Sequence, residues 1–271
     1  MNTLPIFASG LTDSPGDIRR AIREGMHPGV TALSRGSRSL SLPVRVLLTQ
    51  HLANGGSVFV DSGAFTDRRA GRETDWSLVF AAYRELANNT EARDRSRLFV
   101  VAPDIVGDVR GTQHLQTASL PDLAPFLEGG CSVILPVQRP LPCDLDDPST
   151  DRPCLATEAE SIPFNWSDYP NAILGVPFND CAWGAAEVTA FIALAEDIRQ
   201  NPSAWNPYRP DLPARLHLLG GGTSKVEAVA SILPDFPAVE IGGDSLFSAA
   251  SARRHTRQPV ELVAQPQPEL F

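Results

Sequence analysis

The chain has 271 residues, with 23 Lys+Arg against 32 Asp+Glu and a formal charge of −9. A 42% hydrophobic share that includes 12 Phe and 4 Trp supports a real core and excludes wholesale disorder, and the length suits one large domain or two small ones. The acidic total argues against a simple basic nucleic-acid binder, and four scattered cysteines (Cys131, Cys143, Cys154, Cys181) without a CxxC pair exclude a disulfide scaffold.

In chain order, the first apolar run is residues 4–8. Ser14 as N-cap with Pro15 at the first helical position predicts a helix over 14–24. A weaker second run spans 29–33, and a helix over 42–53 ends at Asn54-Gly55-Gly56. Residues 57–61 (SVFVD) form a β-branched, aromatic strand, followed by a helix over 76–87. Residues 97–103 (RLFVVAP) are the fourth strand, with helical sequence to about 127. Strands at 132–137 and 172–176, a helix at 185–198, a strand at 216–219, a helix at 224–232 and a strand at 238–241 complete the series. Residues 139–170, with six Pro and seven acids, read as one long acidic loop too polar to pack. Residues 255–271 read as a flexible tail behind a domain over 1–254.

Eight mostly apolar strands with helical connections point to a parallel sheet buried on both faces. Eight βα units over this length predict an α/β fold of the (β/α)8 TIM-barrel type. A doubly wound open sheet is the alternative, but FASGLTDS after the first strand lacks GxGxxG. In a barrel, the residues that matter for chemistry follow the strands. Strand three ends in Asp61-Ser62-Gly63-Ala64-Phe65 and strand four in Pro103-Asp104. Strand five ends in Gln138, strand six in Gly175, strand seven in Leu219 and Gly220, and strand eight is followed by Gly242-Gly243-Asp244-Ser245. No His or Cys stands at these ends apart from Cys181, a few residues beyond strand six.

Taken singly, an Asp after a strand is commonly a helix N-cap and a Gly a turn residue. Taken together, three carboxylates, an amide and exposed backbone suit glycosidic-bond chemistry on a purine. One carboxylate attacks the anomeric carbon, another moves protons, and acceptors read the donor edge of the base while Phe65 stacks on it. No metal and no cofactor is called for by this residue set.

The segments DSGAF (61–65), PD (103–104), PVQ (136–138), ILGV (173–176), HLLGGG (217–222) and GGDS (242–245) resemble, in order, the motifs of the tRNA-guanine transglycosylase superfamily. The similarity is closest to the DpdA-type 7-deazaguanine DNA transglycosylases and covers about residues 5–250. The resemblance implies Asp244 as the nucleophile at C1′ and Asp61 as the general acid/base. It implies Asp104 on the Watson–Crick edge of the base, Gln138 and the Gly175 backbone on the exocyclic oxygen side, and Phe65 and Leu219 on the two ring faces. Ser62 and Gly220 join the substrate-binding set. The zinc site CxCxxC plus His of that family is absent, so the barrel is expected to lack its zinc subdomain. Thr66 follows DSGAF where the tRNA enzymes have Gln, and Arg139-Pro140 follows VQ where they have Gly-Gly.

The expected activity is therefore exchange of guanine in DNA for a 7-deazaguanine such as preQ0 through a covalent aspartyl–glycosyl intermediate. The alternatives are base exchange on tRNA or a free nucleoside, or an inactive barrel that binds a base or partner. The last five residues, QPELF, resemble the bacterial sliding-clamp-binding pentapeptide, with Gln267, Leu270 and Phe271 as its anchors. Deleting residues 267–271 is then expected to abolish clamp binding and leave the barrel folded. No apolar run is long enough for a membrane span and no basic-then-apolar leader is present, so a cytoplasmic location without membrane partners is expected. Charge placement sharpens the partner expectation. Residues 1–72 carry nine Arg and five acids, net +4; the remainder carries 14 cations and 27 acids, net −13. DNA binding through one Arg-rich flank, assisted by a clamp or partner, fits that distribution better than a broad basic surface.

Overall fold

The computed structural model describes residues 4–11, 14–34, 38–139, 155, 169–178, 183–200, 215–220, 229, 231 and 239–246. Most of the acidic loop, all of the helix expected over 224–232 but residues 229 and 231, and the tail with its Gln267, Leu270 and Phe271 lie outside them. Eight parallel strands close into a barrel. They are β1 (Ile6–Ser9), β2 (His27–Thr31), β5 (Val58–Asp61), β6 (Leu98–Val101), β7 (Ser132–Pro136), β8 (Ala172–Pro177), β9 (Arg215–Leu219) and β10 (Glu240–Leu246). β1 closes the ring by pairing with both β2 and β10. The protein has a TIM-barrel fold. A two-stranded antiparallel pair, β3 (Leu33–Ser34) and β4 (Arg38–Ser39), sits after β2.

Alternation along the strands builds two cores. One residue set packs outward against the helices: Val58 and Val60, Leu98 and Val100, Val133 and Leu135, Leu174 and Val176, Leu216 and Leu218. The other set (Phe7, Phe59, Phe99, Val101, Ile134, Ile173) fills the lumen. The helices cover the outer set. In α1 (Pro15–Arg23), the Ser14 hydroxyl accepts from the Asp17 N–H and the buried face carries Ile18 and Ala21. α2 (Leu42–Ala53) buries Val44, Leu48 and Leu52. α4 (Trp76–Asn88), capped by Asp75, buries Val79, Phe80, Tyr83 and Leu86. α5 (Val109–Ala118), α6 (Leu120–Glu128) and α7 (Ala185–Gln200) follow β6, β6 and β8. A 3-10 turn over Ala92–Arg97 leads into β6.

Two boundaries differ from the sequence reading in ways that concern function. The expected eighth strand stops at 241, before the glycines, whereas β10 runs through Gly242-Gly243-Asp244. Glycine is a poor strand former, but here the neighbours supply the ladder on both sides: Gly243 pairs with Ile6, Asp244 with Phe7, and Gly242 with His217. Asp244 is thus a strand residue, not a loop residue. Second, a short helix, α3 (Ala64–Arg69), starts within DSGAF. Six residues are too few for a periodic signal. Its start needs Gly63, whose φ of +86° is left-handed and whose Cβ would lie 2.8 Å from Cγ2 of Thr31.

Candidate active site

The C-terminal ends of the strands surround a cavity of about 500 Å³, lined by Ser9, Thr31, Asp61, Ser62, Phe65, Asp104, Gln138, Leu219, Gly220 and Asp244, among others. That volume lies within the range of small-molecule sites, about 300–1,000 Å³. Of the catalytic and base-binding residues singled out from sequence, all but Gly175 line it. Gly175 lies in β8 and its carbonyl receives the Val137 N–H at 2.8 Å. A Cβ there would stand 2.7 Å from Cγ2 of Ile134 and 3.1 Å from Cδ1 of Leu219, so glycine lets these two side chains close the floor under the cavity.

The three carboxylates hold different environments. Asp61 ends β5, and its Oδ2 accepts the Gly63 N–H at 3.3 Å. Burial pushes its carboxyl up to about 6, the Asp244 charge adds to the push, and the N–H groups of Gly63 and Ser62 oppose it. Asp104 follows β6. Burial, and then the charge of Asp61, push its carboxyl up to about 7 against the pull of a hydrogen bond from Gln138. Both side chains line the cavity. Asp244 is 8% exposed, and its Oδ1 accepts the Gly220 N–H at 3.0 Å. Gly220 therefore anchors the carboxylate; this is its contact in the structure.

Gln138 is buried and already committed. Its Nε2 donates to Oδ2 of Asp104 at 2.9 Å, and its Oε1 accepts the Gly107 N–H at 3.0 Å. The two contacts fix the amide orientation and tie the loop after β6 to β7. The same loop is pinned from α5, where the Thr112 hydroxyl accepts the Ile105 N–H at 2.9 Å. The Ser62 hydroxyl accepts the Ala64 N–H at 3.2 Å and stabilises the start of α3. Phe65, on α3, is 46% exposed at the rim, with the Arg69 guanidinium 5.8 Å from its ring centroid. Arg68 donates to the Val106 carbonyl, which clamps α3 against the loop after β6.

One residue of the HLLGGG segment carries more than the strand-end reading gave it. His217 is fully buried inside the barrel, with Nε2 3.4 Å from Oδ1 of Asp244. The signal was in the sequence: alternation along β9 puts His217 on the same face as Leu219, hence in the lumen.

Among the described residues, no group of three or more His, Cys, Asp or Glu side chains is placed to hold a metal ion, and no helix is long and apolar enough to cross a membrane. Cys131 is buried before β7; Cys143, Cys154 and Cys181 lie outside the described residues.

No family model matches the chain, and no curated protein matches it. Among solved structures it is similar to an N-terminally His-tagged D-allulose 3-epimerase from Methylomonas sp., at 15% identity over 92% of this chain and 86% of that chain, with a TM-score of 0.46. It is also similar to the catalytic domain of a mannanase from Streptomyces sp. SirexAA-E, at 14% identity over 90% of this chain and 74% of that chain, with a TM-score of 0.49. These likenesses concern the fold alone.

Proposed function

We propose that this barrel is a DNA-guanine transglycosylase that exchanges guanine for a 7-deazaguanine base of the preQ0 type. The observation that carries the reading is the pairing of Asp244, anchored by one oxygen to the Gly220 N–H, with Asp61, raised to about 6 partly by the Asp244 charge, in one cavity. One carboxylate is held for attack and the other is poised to carry a proton near neutral pH. Oδ2 of Asp244 attacks C1′ as the C1′–N9 bond breaks, and Asp61 gives its proton to the departing purine. The incoming base returns a proton to Asp61 as its nitrogen attacks C1′ and the ester bond breaks back to Asp244. Two inversions give net retention.

The remaining groups suit the base. Asp104, held by Gln138, accepts hydrogen bonds from the donor edge of guanine, Phe65 stacks at the rim and Leu219 packs from the floor. The guanine must leave the helical stack first, at a cost of a few kcal/mol. DNA rather than tRNA rests on the sequence resemblance, as does tethering to a sliding clamp through Gln267, Leu270 and Phe271. Base binding alone uses Asp104 but has no use for Asp61, a second carboxyl pushed up by burial and by the Asp244 charge, an arrangement that lowers stability near neutral pH.

The test is nucleoside mass spectrometry of DNA from cells that express the protein and receive a 7-deazaguanine. Deazaguanine in DNA with the wild type, and none with Asp244→Ala, is the expected result. Deazaguanine in tRNA or free nucleosides alone would move the substrate; its absence from all three pools would refute base exchange.

A further inference from the structure

The lumen contains a side chain that packing does not explain. His217 is wholly buried, in a layer whose other large members are Phe7, Phe59 and Ile134. These four come from the first, third, fifth and seventh strands of the barrel, the alternate-strand layering of this fold. The imidazole stacks on Phe59, with centroids 5.1 Å apart and planes 16° from parallel, and lies 5.8 Å from the Phe7 ring. Neither ring nitrogen has a hydrogen-bond partner among the described residues. A buried polar group without a partner destabilises, and a phenylalanine would fill the layer without that penalty. Oδ1 of Asp244 lies 3.4 Å from Nε2, out of line for a hydrogen bond.

We propose that His217 is a positioning residue for Asp244: its Nε2–H closes on Oδ1 during reaction and, with the Gly220 N–H, leaves Oδ2 alone facing the sugar carbon. Its effect on turnover rests on the base-exchange reading; the His217–Asp244 contact does not. The proposal requires the ring proton on Nε2, the nitrogen that lies 3.4 Å from Oδ1 of Asp244. His217 keeps this proton throughout: the Oδ2–C1′ bond forms as C1′–N9 breaks, and the mobile proton travels through Asp61. Contacts that are long in the ground state and tighten at the transition state are usual in active sites.

The experiment compares full-length His217→Phe and His217→Gln with the wild type in guanine exchange into DNA and in thermal melting. His217→Phe is expected to melt at or above the wild-type temperature while kcat falls about 10- to 100-fold at unchanged KM for the base. His217→Gln, which keeps an N–H donor, is expected to recover part of kcat. A His217→Phe protein that keeps the wild-type kcat overturns the proposal, because the ring nitrogens then do nothing for Asp244; one that fails to fold overturns it by showing that the layer itself requires the imidazole. A second readout is independent of turnover. In histidine-labelled protein, the imidazole ¹⁵N resonances that vanish in His217→Phe should report a proton on Nε2 and should move in Asp244→Ala. A proton on Nδ1, or no movement, overturns the contact. If the wild type exchanges no base, the activity reading has failed and this spectrum decides the contact by itself.

Discussion

Asp104→Asn removes a charge while leaving the acceptor oxygen that Gln138 Nε2 reaches at 2.9 Å. The structure gives the size of the effect. The carboxyl is raised from 3.8 to about 7, first by burial and then by the Asp61 charge. The folded form therefore binds this proton more tightly than the unfolded chain does. Stability is unaffected below 3.8, falls as pH rises through the interval to 7, and carries the whole penalty above it. At about 1.4 kcal/mol for each pH unit, the ceiling is roughly 4 kcal/mol. The carboxyl faces a wet cavity, and screening at an effective dielectric near that of surface sites leaves ~1–2 kcal/mol. At ~2–4 °C for each kcal/mol in a chain of this size, Asp104→Asn should melt about 2–8 °C above the wild type at pH 8. The gain should shrink toward zero at pH 4, where the wild-type side chain is already neutral. The same variant should lose about 10- to 100-fold in kcat/KM for guanine, because an anionic acceptor is worth ~1.5–3 kcal/mol. Melting curves from pH 4 to 8 read the first effect. A gain that persists unchanged at pH 4, or a loss at pH 8, would refute the electrostatic reasoning.

Asp61 and Asp104, raised to about 6 and about 7, share one proton between those values, so kcat/KM for base exchange should be bell-shaped with its maximum between pH 6 and 7. A profile flat from 5 to 9 would disconnect the pair from the chemistry. Gly175→Ala places a methyl 2.7 Å from Cγ2 of Ile134. It should cost ~1–3 kcal/mol in thermal unfolding and raise KM for the base by displacing Leu219; an unchanged melting temperature would show that the floor yields freely. At the other end of the barrel, burial pushes His27 below its usual range, and burial plus the neighbouring His27 pushes His51 down to about 4. Nδ1 of His27 lies 3.5 Å from Nε2 of His51 and accepts the Ser57 N–H. A depressed histidine contributes stability that is present above pH 6.5 and lost as pH falls toward 4. Since His51 is partly exposed, about 1 kcal/mol is expected. His51→Gln should flatten the wild-type decline in melting temperature between pH 6.5 and 4.5, and an identical decline would rule the pair out as its source.

The alternation of apolar runs with helical segments specifies the barrel by itself. Strands buried on both faces must be nearly continuous in Val, Ile, Leu and Phe, and eight such runs separated by helices leave few closed arrangements. Asp61, Ser62, Phe65, Asp104, Leu219 and Gly220 were legible because this fold exposes strand ends on one face, a rule that needs only position along the chain. Asp244 was legible as a residue type in the right place, but not as a strand residue. The ladder through Gly242 and Gly243 is supplied by β1 and β9, which are distant in sequence.

What the tertiary structure alone decided is who touches whom inside the ring. The resemblance implies Gln138 beside the base; it lines the cavity, and folding alone ties its amide to Asp104 and Gly107. Sequence placed Gly175 at the site, whereas the lumen uses its missing side chain to admit Ile134 and Leu219. His217 shows the difference most clearly. Its strand and its inward face follow from alternation, but its neighbours in the layer lie on β1, β5 and β7, and Asp244 on β10. Closure of the barrel converts those sequence separations into ångströms. Local propensity fixes which way a side chain points, and only closure fixes what it meets.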